Sequence, residues 1–352
     1  MTQAISTQDA EHLLEDLVSI ESPSSHEQHA VDALVTWMNA HGYDDAYIDE
    51  VGNAIGIISS GSRDIVLLGH IDTFAGNPPV RREGRLLYGR GSVDAKGSLC
   101  TFAVSAAQAN IPDDVRLIVI GAVGEEAGSE GARYLVNQFS PDCCLIGEPS
   151  QWDRITLGYK GRLILDYRWQ GAMAHSAGQT MTAPEHAVAY WRHVQQYVTN
   201  YNGNENRIFG QLDATLQEIN SGQDGAFGWA SAVIGFRLPP NCDPCELAKA
   251  LDCSDGEAVT ITAHGHETAH VGARDSVLSR ALRGAIRAES GSPRFVHKTG
   301  TSDMNVVAPI WRCPIAAYGP GDSTLDHTPQ EHIDLDDYLR AIRVLTNAIA
   351  RF

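Results

Sequence analysis

The sequence predicts an α/β protein interrupted by a second, α+β domain. Three observations carry that reading. Short apolar runs such as "DIVLLGH", "VRLIVIGAV" and "DCCLIG" alternate with helical patterns through the first half. Continuous apolar strands of this kind belong to a sheet covered on both faces. Near Leu157 the pattern changes to half-exposed strands in the order β-α-β-β-α-β, the split βαβ arrangement of a ferredoxin-like sandwich. From about Gly272 the helix-and-strand alternation returns. The expected domains are therefore 1–157 with 272–352, and an inserted 158–271.

The elements follow in order. "SSHEQHAVDALVTWMNAHG" has Ser25 three residues before Gln28, a capping-box spacing, then helical apolar periodicity and a stop at Gly42. "AYIDE" and "AIGIIS" read as strands, and "DIVLLGHIDT" as a buried strand running into polar residues. "KGSLCTFAVSAAQAN" is an apolar helix, "VRLIVIGAV" a buried strand, "SEGARYLVNQF" a helix and "DCCLIGEPS" a strand ending in a loop. In the insertion, "GRLILDYRWQG", "QLDATLQEIN", "WASAVIGFRLPP" and "AVTITAHG" read as strands, with "APEHAVAYWRHVQQYVTNY" and "DPCELAKAL" as helices. The chain closes with "SVLSRALRGAIRAES", "PIAAYGP" and "DLDDYLRAIRVLTNAIA", a helix, a strand and a helix.

Composition excludes several classes. With 43% hydrophobic and 20% charged residues over 352 positions, the chain can bury a sizeable core. A net charge of −18 argues against nucleic-acid binding, which wants a basic surface. No apolar stretch approaches the roughly 20 residues of a membrane helix. The first residues lack a basic region followed by an apolar one, so a cytoplasmic location is expected. Seven cysteines without a secretory signal read as reduced thiols, and the lone Cys242–Cys245 pair lacks a second ligand pair at structural-zinc spacing.

Chemistry-bearing residues gather at the predicted strand ends. His70 and Asp72 follow "VLLG"; Asp94 precedes a helix; Glu125 and Glu126 follow "LIVIGAVG"; Glu148 follows "CLIG"; His327 follows "PIAAYG". Ligands of open α/β sheets bind outside the carboxyl ends of the strands. Each residue alone could be a cap or a solvated loop group. Together they form an inventory of N and O ligands suited to zinc or a similar divalent ion.

"GHIDT", "GRGSVDAKG", "GEEAGSEGA", "GEPS", "GAMAHSAG" and "DHTP" stand in the order and spacing of the M20 family of dinuclear zinc aminoacylases and exopeptidases, which the chain resembles along nearly its whole length. The resemblance implies a zinc-exopeptidase-like mixed sheet flanked by helices, with an inserted lid through which the protein forms a homodimer. It implies two Zn²⁺ per subunit, with Co²⁺ as a substitute. His70 and Glu148 would bind the first ion, His327 and Glu126 the second, and Asp94 both. Metals about 3.5–4 Å apart repel, which makes a shared carboxylate valuable. Asp72 would orient His70, and Glu125 would be the general base and acid. His175 would reach across the dimer to the oxyanion, and Arg237 would grip a substrate carboxylate.

The region "KTGTSDMNVVAP" with "AAYGPGDSTLDHTPQEHI" most resembles the lysine-biosynthetic branch of the family. Members of that branch release lysine, and often ornithine, from the γ-carboxyl of a glutamate ending a small, acidic amino-group carrier protein. Thr301, Ser302 and Asp303 are the expected substrate-loop residues. A deacetylase of N-acetyl-ornithine or N-acetyl-lysine, or a dipeptidase, is the alternative within the family. An acidic carrier would need a local basic patch on this acidic chain. Arg81, Arg82, Arg85 and Arg90, with Lys160, Arg162 and Arg168, are the candidates.

Overall fold

The computed structural model describes residues 5–173, 178 and 180–352. The chain divides into two compact units. One comprises residues up to Gly158, Gly272–His297 and Ser302–Phe352; the other comprises Tyr159–Val271 and Lys298–Thr301.

The first unit is built on a mixed sheet. Its strands lie in the order Asp45–Ile48, Ala54–Ile58, Val115–Ala122, Arg63–His70, Cys143–Gly147, Ile315–Ala317, Arg154–Tyr159. The four from Val115–Ala122 to Ile315–Ala317 run parallel, and the outer pairings are antiparallel. The parallel strands are buried along most of their length, as their unbroken apolar runs require. Helix Lys96–Gln108 is buried nearly end to end, and the amphipathic helices Val277–Ala288 and Leu335–Ile349 turn one apolar face inward.

One row of glycines sets how closely that buried helix approaches. Gly121, Gly69 and Gly147 are in register across three parallel strands. A Cβ at Gly69 would lie 3.3 Å from Leu99, and one at Gly147 would lie 3.0 Å from Phe102. The missing side chains leave room for the helix over the strand ends, bringing Asp94 with it. Lys96, buried at the start of the same helix, donates from Nζ to the carbonyls of Leu17 (2.8 Å) and Ile20 (2.7 Å), which caps helix Thr7–Ser19. Burial lowers its pKa to about 8.

The second unit is a four-stranded antiparallel sheet in the order Asp213–Gln223, Phe227–Leu238, Gly161–Ala172, Val259–Glu267. Helices Ala183–Asn202 and Pro244–Leu251 complete the β-α-β-β-α-β succession. Burial along Gly161–Ala172 alternates, so that Leu163, Leu165, Tyr167 and Trp169 face one core. Among the described residues, no helix is long and apolar enough to cross a membrane.

Three elements differ from expectation. Ser25 does not cap the second helix: it sits at φ 72°, and Glu27 takes the cap position. The Glu27 carboxylate is drawn inward, accepting the N–H of Ser25 (2.9 Å) and of Gly124 (3.2 Å). "SEGARYLVNQF" is regular helix only over Glu130–Leu135. The expected substrate loop instead starts the helix Asp303–Trp311, with Ser302 and Asn305 forming its capping box.

Candidate active site

The C-terminal ends of the four parallel strands converge, and the chemistry-bearing residues stand there. His70 closes its strand opposite Ala122, and Glu148 follows directly after Gly147, the register partner of Gly69. Glu125 and Glu126 lie three and four residues beyond Ala122. Two ligand triads result: His70, Asp94 and Glu148, and Asp94, Glu126 and His327, the donor atoms of each within 4.8 Å of one another. Asp94 belongs to both. Its Oδ1 is 3.3 Å from His70 Nε2 and its Oδ2 is 3.1 Å from His327 Nε2. Glu126 Oε1 lies 3.0 Å from the same His327 nitrogen.

The imidazoles are oriented by their surroundings. His70 Nδ1 is 3.0 Å from the carbonyl oxygen of Asp72, which can only accept, so this nitrogen carries a proton and Nε2 is turned toward Asp94. His327 is in the left-handed region at φ 60°, and its ring stacks on Phe74 with centroids 4.4 Å apart.

The electrostatics call for positive charge. Burial raises the Glu148 carboxyl well above its usual range, and Asp94 and Glu125 add repulsion. Hydrogen bonds to Asp94 and Glu126 push His327 up to about 10 against the opposing effect of burial. Burial opposes the charge on Asp94, yet His327 and His70 hold its carboxyl well below the carboxylate norm. Cations placed among these carboxylates would offset their repulsion, and one imidazole plus carboxylates at each position fits divalent ions.

Asp72 does more than face His70. Its carboxylate is 3.4 Å from His70 Nδ1, while Oδ1 accepts the Glu125 N–H (3.1 Å) and Oδ2 the Glu126 N–H (3.0 Å). Ser24 donates to the same group at 2.7 Å. The paired glutamates thus hang from one buried carboxylate. Asn53, fully buried, holds the ends of their loop: Oδ1 accepts the Val123 N–H (3.0 Å) and Nδ2 donates to the Gly131 carbonyl (3.4 Å). Asp49 in turn accepts from Asn53 Nδ2 at 2.8 Å. Glu125 is in neither triad. Burial raises its carboxyl well above normal; His70 opposes this, and Asp303, Glu126 and Asp94 reinforce it.

The remaining expected residues belong to neither triad. Ser302 caps a helix, and Asp303 is buried at that helix's first turn, its pKa pushed up to about 6 chiefly by burial. Arg237 and Thr301 meet in the second unit, Nη1 to Oγ1 at 2.9 Å. His175 lies outside the described residues. The expected basic patch is largely neutralised. Arg81 pairs with Glu83, Arg82 with Glu11 and Glu15, Arg85 with Glu11 and Asp336, and buried Arg90 with Glu331. In the second unit, buried Lys160 pairs with Asp213, and Arg162 with Glu267.

Residues 66–351 match the model of peptidase family M20/M25/M40. The chain belongs to this family. As an M20 metallohydrolase it is an amide-bond hydrolase, and the two triads are its candidate metal ligands. It is similar to the LysW-lysine hydrolase of Deinococcus radiodurans, with 46% identity across 100% of this chain and 99% of the relative. It is also similar to the LysW-lysine/LysW-ornithine hydrolase of Saccharolobus islandicus, with 29% identity across 97% and 95%. In fold it resembles an M20 family metallo-carboxypeptidase from Sulfolobus solfataricus, with a TM-score of 0.80, 17% identity and coverage of 97% and 99%. A dinuclear metal-binding M20 peptidase from Bacillus subtilis gives a TM-score of 0.68 at 10% identity, with coverage of 98% and 97%.

Proposed function

We propose that this M20 hydrolase releases L-lysine, and also L-ornithine, from the γ-carboxyl of the C-terminal glutamate of the LysW amino-group carrier protein, in lysine and arginine biosynthesis in the cytoplasm. The observation that supports the chemistry is Asp94, with one oxygen in each of two histidine–carboxylate triads. The substrate rests on the similarity, over the full chain, to a LysW-lysine hydrolase.

We assign His70 and Glu148 to one divalent ion, Glu126 and His327 to the other, and Asp94 to both. Zinc suits this donor set, and cobalt would substitute. Bound there, the ions supply Lewis acidity, polarising the scissile carbonyl and acidifying a water. Glu125 takes the proton from that water as its oxygen attacks the amide carbon. It then delivers the proton to the nitrogen of lysine as the C–N bond breaks. Burial keeps the Glu125 proton affinity high, which suits a group that must first accept and then donate. Asp72 holds Glu125 in place through its backbone N–H. From the inserted unit, Arg237, with Thr301 beside it, is assigned to the substrate carboxylate. His175 is assigned to the oxyanion, supplied across a homodimer.

Kinetics on three substrates test the reading: carrier-γ-lysine, carrier-γ-ornithine and N-acetyl-ornithine. We expect the highest kcat/KM on carrier-γ-lysine. Preference for N-acetyl-ornithine would instead make the enzyme a small-molecule deacetylase.

A further inference from the structure

Arg90 and Glu331 form an ion pair with no part in the proton transfers above. Arg90 Nη1 lies 2.6 Å from Glu331 Oε2, and the side chains are only 9% and 0% exposed. Burying opposite charges seldom gains stability over an apolar pair of the same volume. What the pair holds is therefore more informative than the pair itself.

Glu331 turns its other oxygen, Oε1, to the backbone N–H groups of Val93 (3.1 Å) and Asp94 (3.2 Å). Arg90 donates from Nη2 to the His327 carbonyl (3.3 Å), from Nη1 to the Thr328 carbonyl (3.5 Å) and from Nε to the Gly76 carbonyl (3.2 Å). One end of the pair grips the backbone of Asp94, the carboxylate common to both triads. The other end grips the backbone of His327 at its left-handed φ of 60°.

The two triads are anchored differently. His70 and Glu148 are fixed by sheet register, since Gly69 and Gly147 are paired residues of adjacent strands. The segments of Asp94 and His327 are joined by the ladder that pairs Tyr88 with His332 and by the Gly89 N–H to the Glu331 carbonyl, but neither ligand itself lies in a strand or helix. Closer to the ligands, their backbones are tied through Arg90 and Glu331.

We propose that Arg90 and Glu331 are positioning residues that set the separation of Asp94 and His327, and with it the affinity of the Asp94–Glu126–His327 triad for its divalent ion. The inference rests on the two-ion reading above. It predicts an asymmetry: loss of the pair weakens one ion far more than the other.

The test is zinc titration of the purified full chain against a competing chelator, with bound metal counted by mass spectrometry and folding followed by circular dichroism. Glu331→Gln keeps the volume but sets an amide N–H₂ either against Arg90 or against the N–H groups of Val93 and Asp94. A second variant, Arg90→Met with Glu331→Gln, removes both charges, so no buried ion is left unpaired to unfold the chain. For both variants we expect a folded protein in which the ion of Glu126 and His327 binds about 10–100-fold more weakly, while the ion of His70 and Glu148, which keeps two sheet-anchored ligands, is weakened far less. Two ions at wild-type affinity in the folded double variant would make the pair merely structural and overturn the proposal. Equal weakening of both ions would also overturn it. A wild-type chain that binds fewer than two ions would overturn the two-ion reading instead.

Discussion

Asp72→Asn separates anchoring of the paired glutamates from the chemistry they perform. The Asp72 carboxylate is fully buried and accepts three hydrogen bonds: from the N–H groups of Glu125 and Glu126 and from Ser24 Oγ. Burial opposes its charge, but His70, Ser24 and the Glu126 N–H hold its pKa below the ordinary value. Asparagine keeps one acceptor and presents an N–H₂ where the other oxygen stood. One backbone N–H then faces a donor, and the second loses a charged partner for a neutral one. A hydrogen bond to a charged group contributes about 1.5–3 kcal/mol, and the charged-to-neutral exchange costs about 1 kcal/mol more, so the variant loses roughly 3 kcal/mol. For a unit of this size that is roughly 6–12 °C in Tm. Displacing Glu125 by as little as about 1 Å should cost around 100-fold in kcat. Differential scanning calorimetry and steady-state kinetics on the folded fraction read the two effects separately. A lowered Tm with unchanged kcat would show that Asp72 stabilises the fold without positioning Glu125, and the reasoning would fail.

Other outcomes follow from the same contacts. Burial opposes the charge on Glu11, but Arg85 and Arg82 hold its carboxyl below its usual value, so its stabilising effect is complete above about pH 4.5 and fades as pH falls through the lowered folded-state pKa. Glu11→Gln should therefore destabilise the protein at neutral pH and flatten its stability between neutral and acid pH, read from urea midpoints; a wild-type pH profile would contradict this. Chelation should abolish turnover, and zinc or cobalt should restore it; activity surviving exhaustive chelation would remove the metals from the reaction. Arg81→Glu with Arg82→Glu breaks ion pairs within the first unit, so its expected effect is a lower Tm with KM for carrier-γ-lysine unchanged. A raised KM for that substrate alone would restore these arginines as a docking surface.

The strand ends were legible because chemistry and local pattern coincide there. "LLGH", "VIGAV" and "LIGE" each run from apolar strand through glycine toward a polar residue, and the sheet brings those ends together. The groups that hold the site were not legible, because their partners are remote in the chain. Asn53 reaches Val123 across 70 positions, and Glu27 reaches Gly124 across 97. The same limit made Arg82 and Arg85 look like free cations; the acids that neutralise them include residues 67 to 251 positions away. Ser25 matched a capping-box spacing, but the inward pull on Glu27 moved the helix start. The helix Asp303–Trp311 was hidden by its own sequence: Gly300 precedes it, Pro309 lies inside it, and its cap is a Ser302–Asn305 pair.

Adjacent carboxylates at Glu125 and Glu126 share one anchor, yet only Glu126 enters a ligand triad. The direct test of that division of labour is a paired comparison of Glu125→Gln and Glu126→Gln by metal stoichiometry and turnover on carrier-γ-lysine. Glu125→Gln should retain both ions and lose several orders of magnitude in kcat, whereas Glu126→Gln should bind one ion markedly more weakly. Substantial turnover by Glu125→Gln with both ions bound would contradict the assignment of the proton transfer to Glu125.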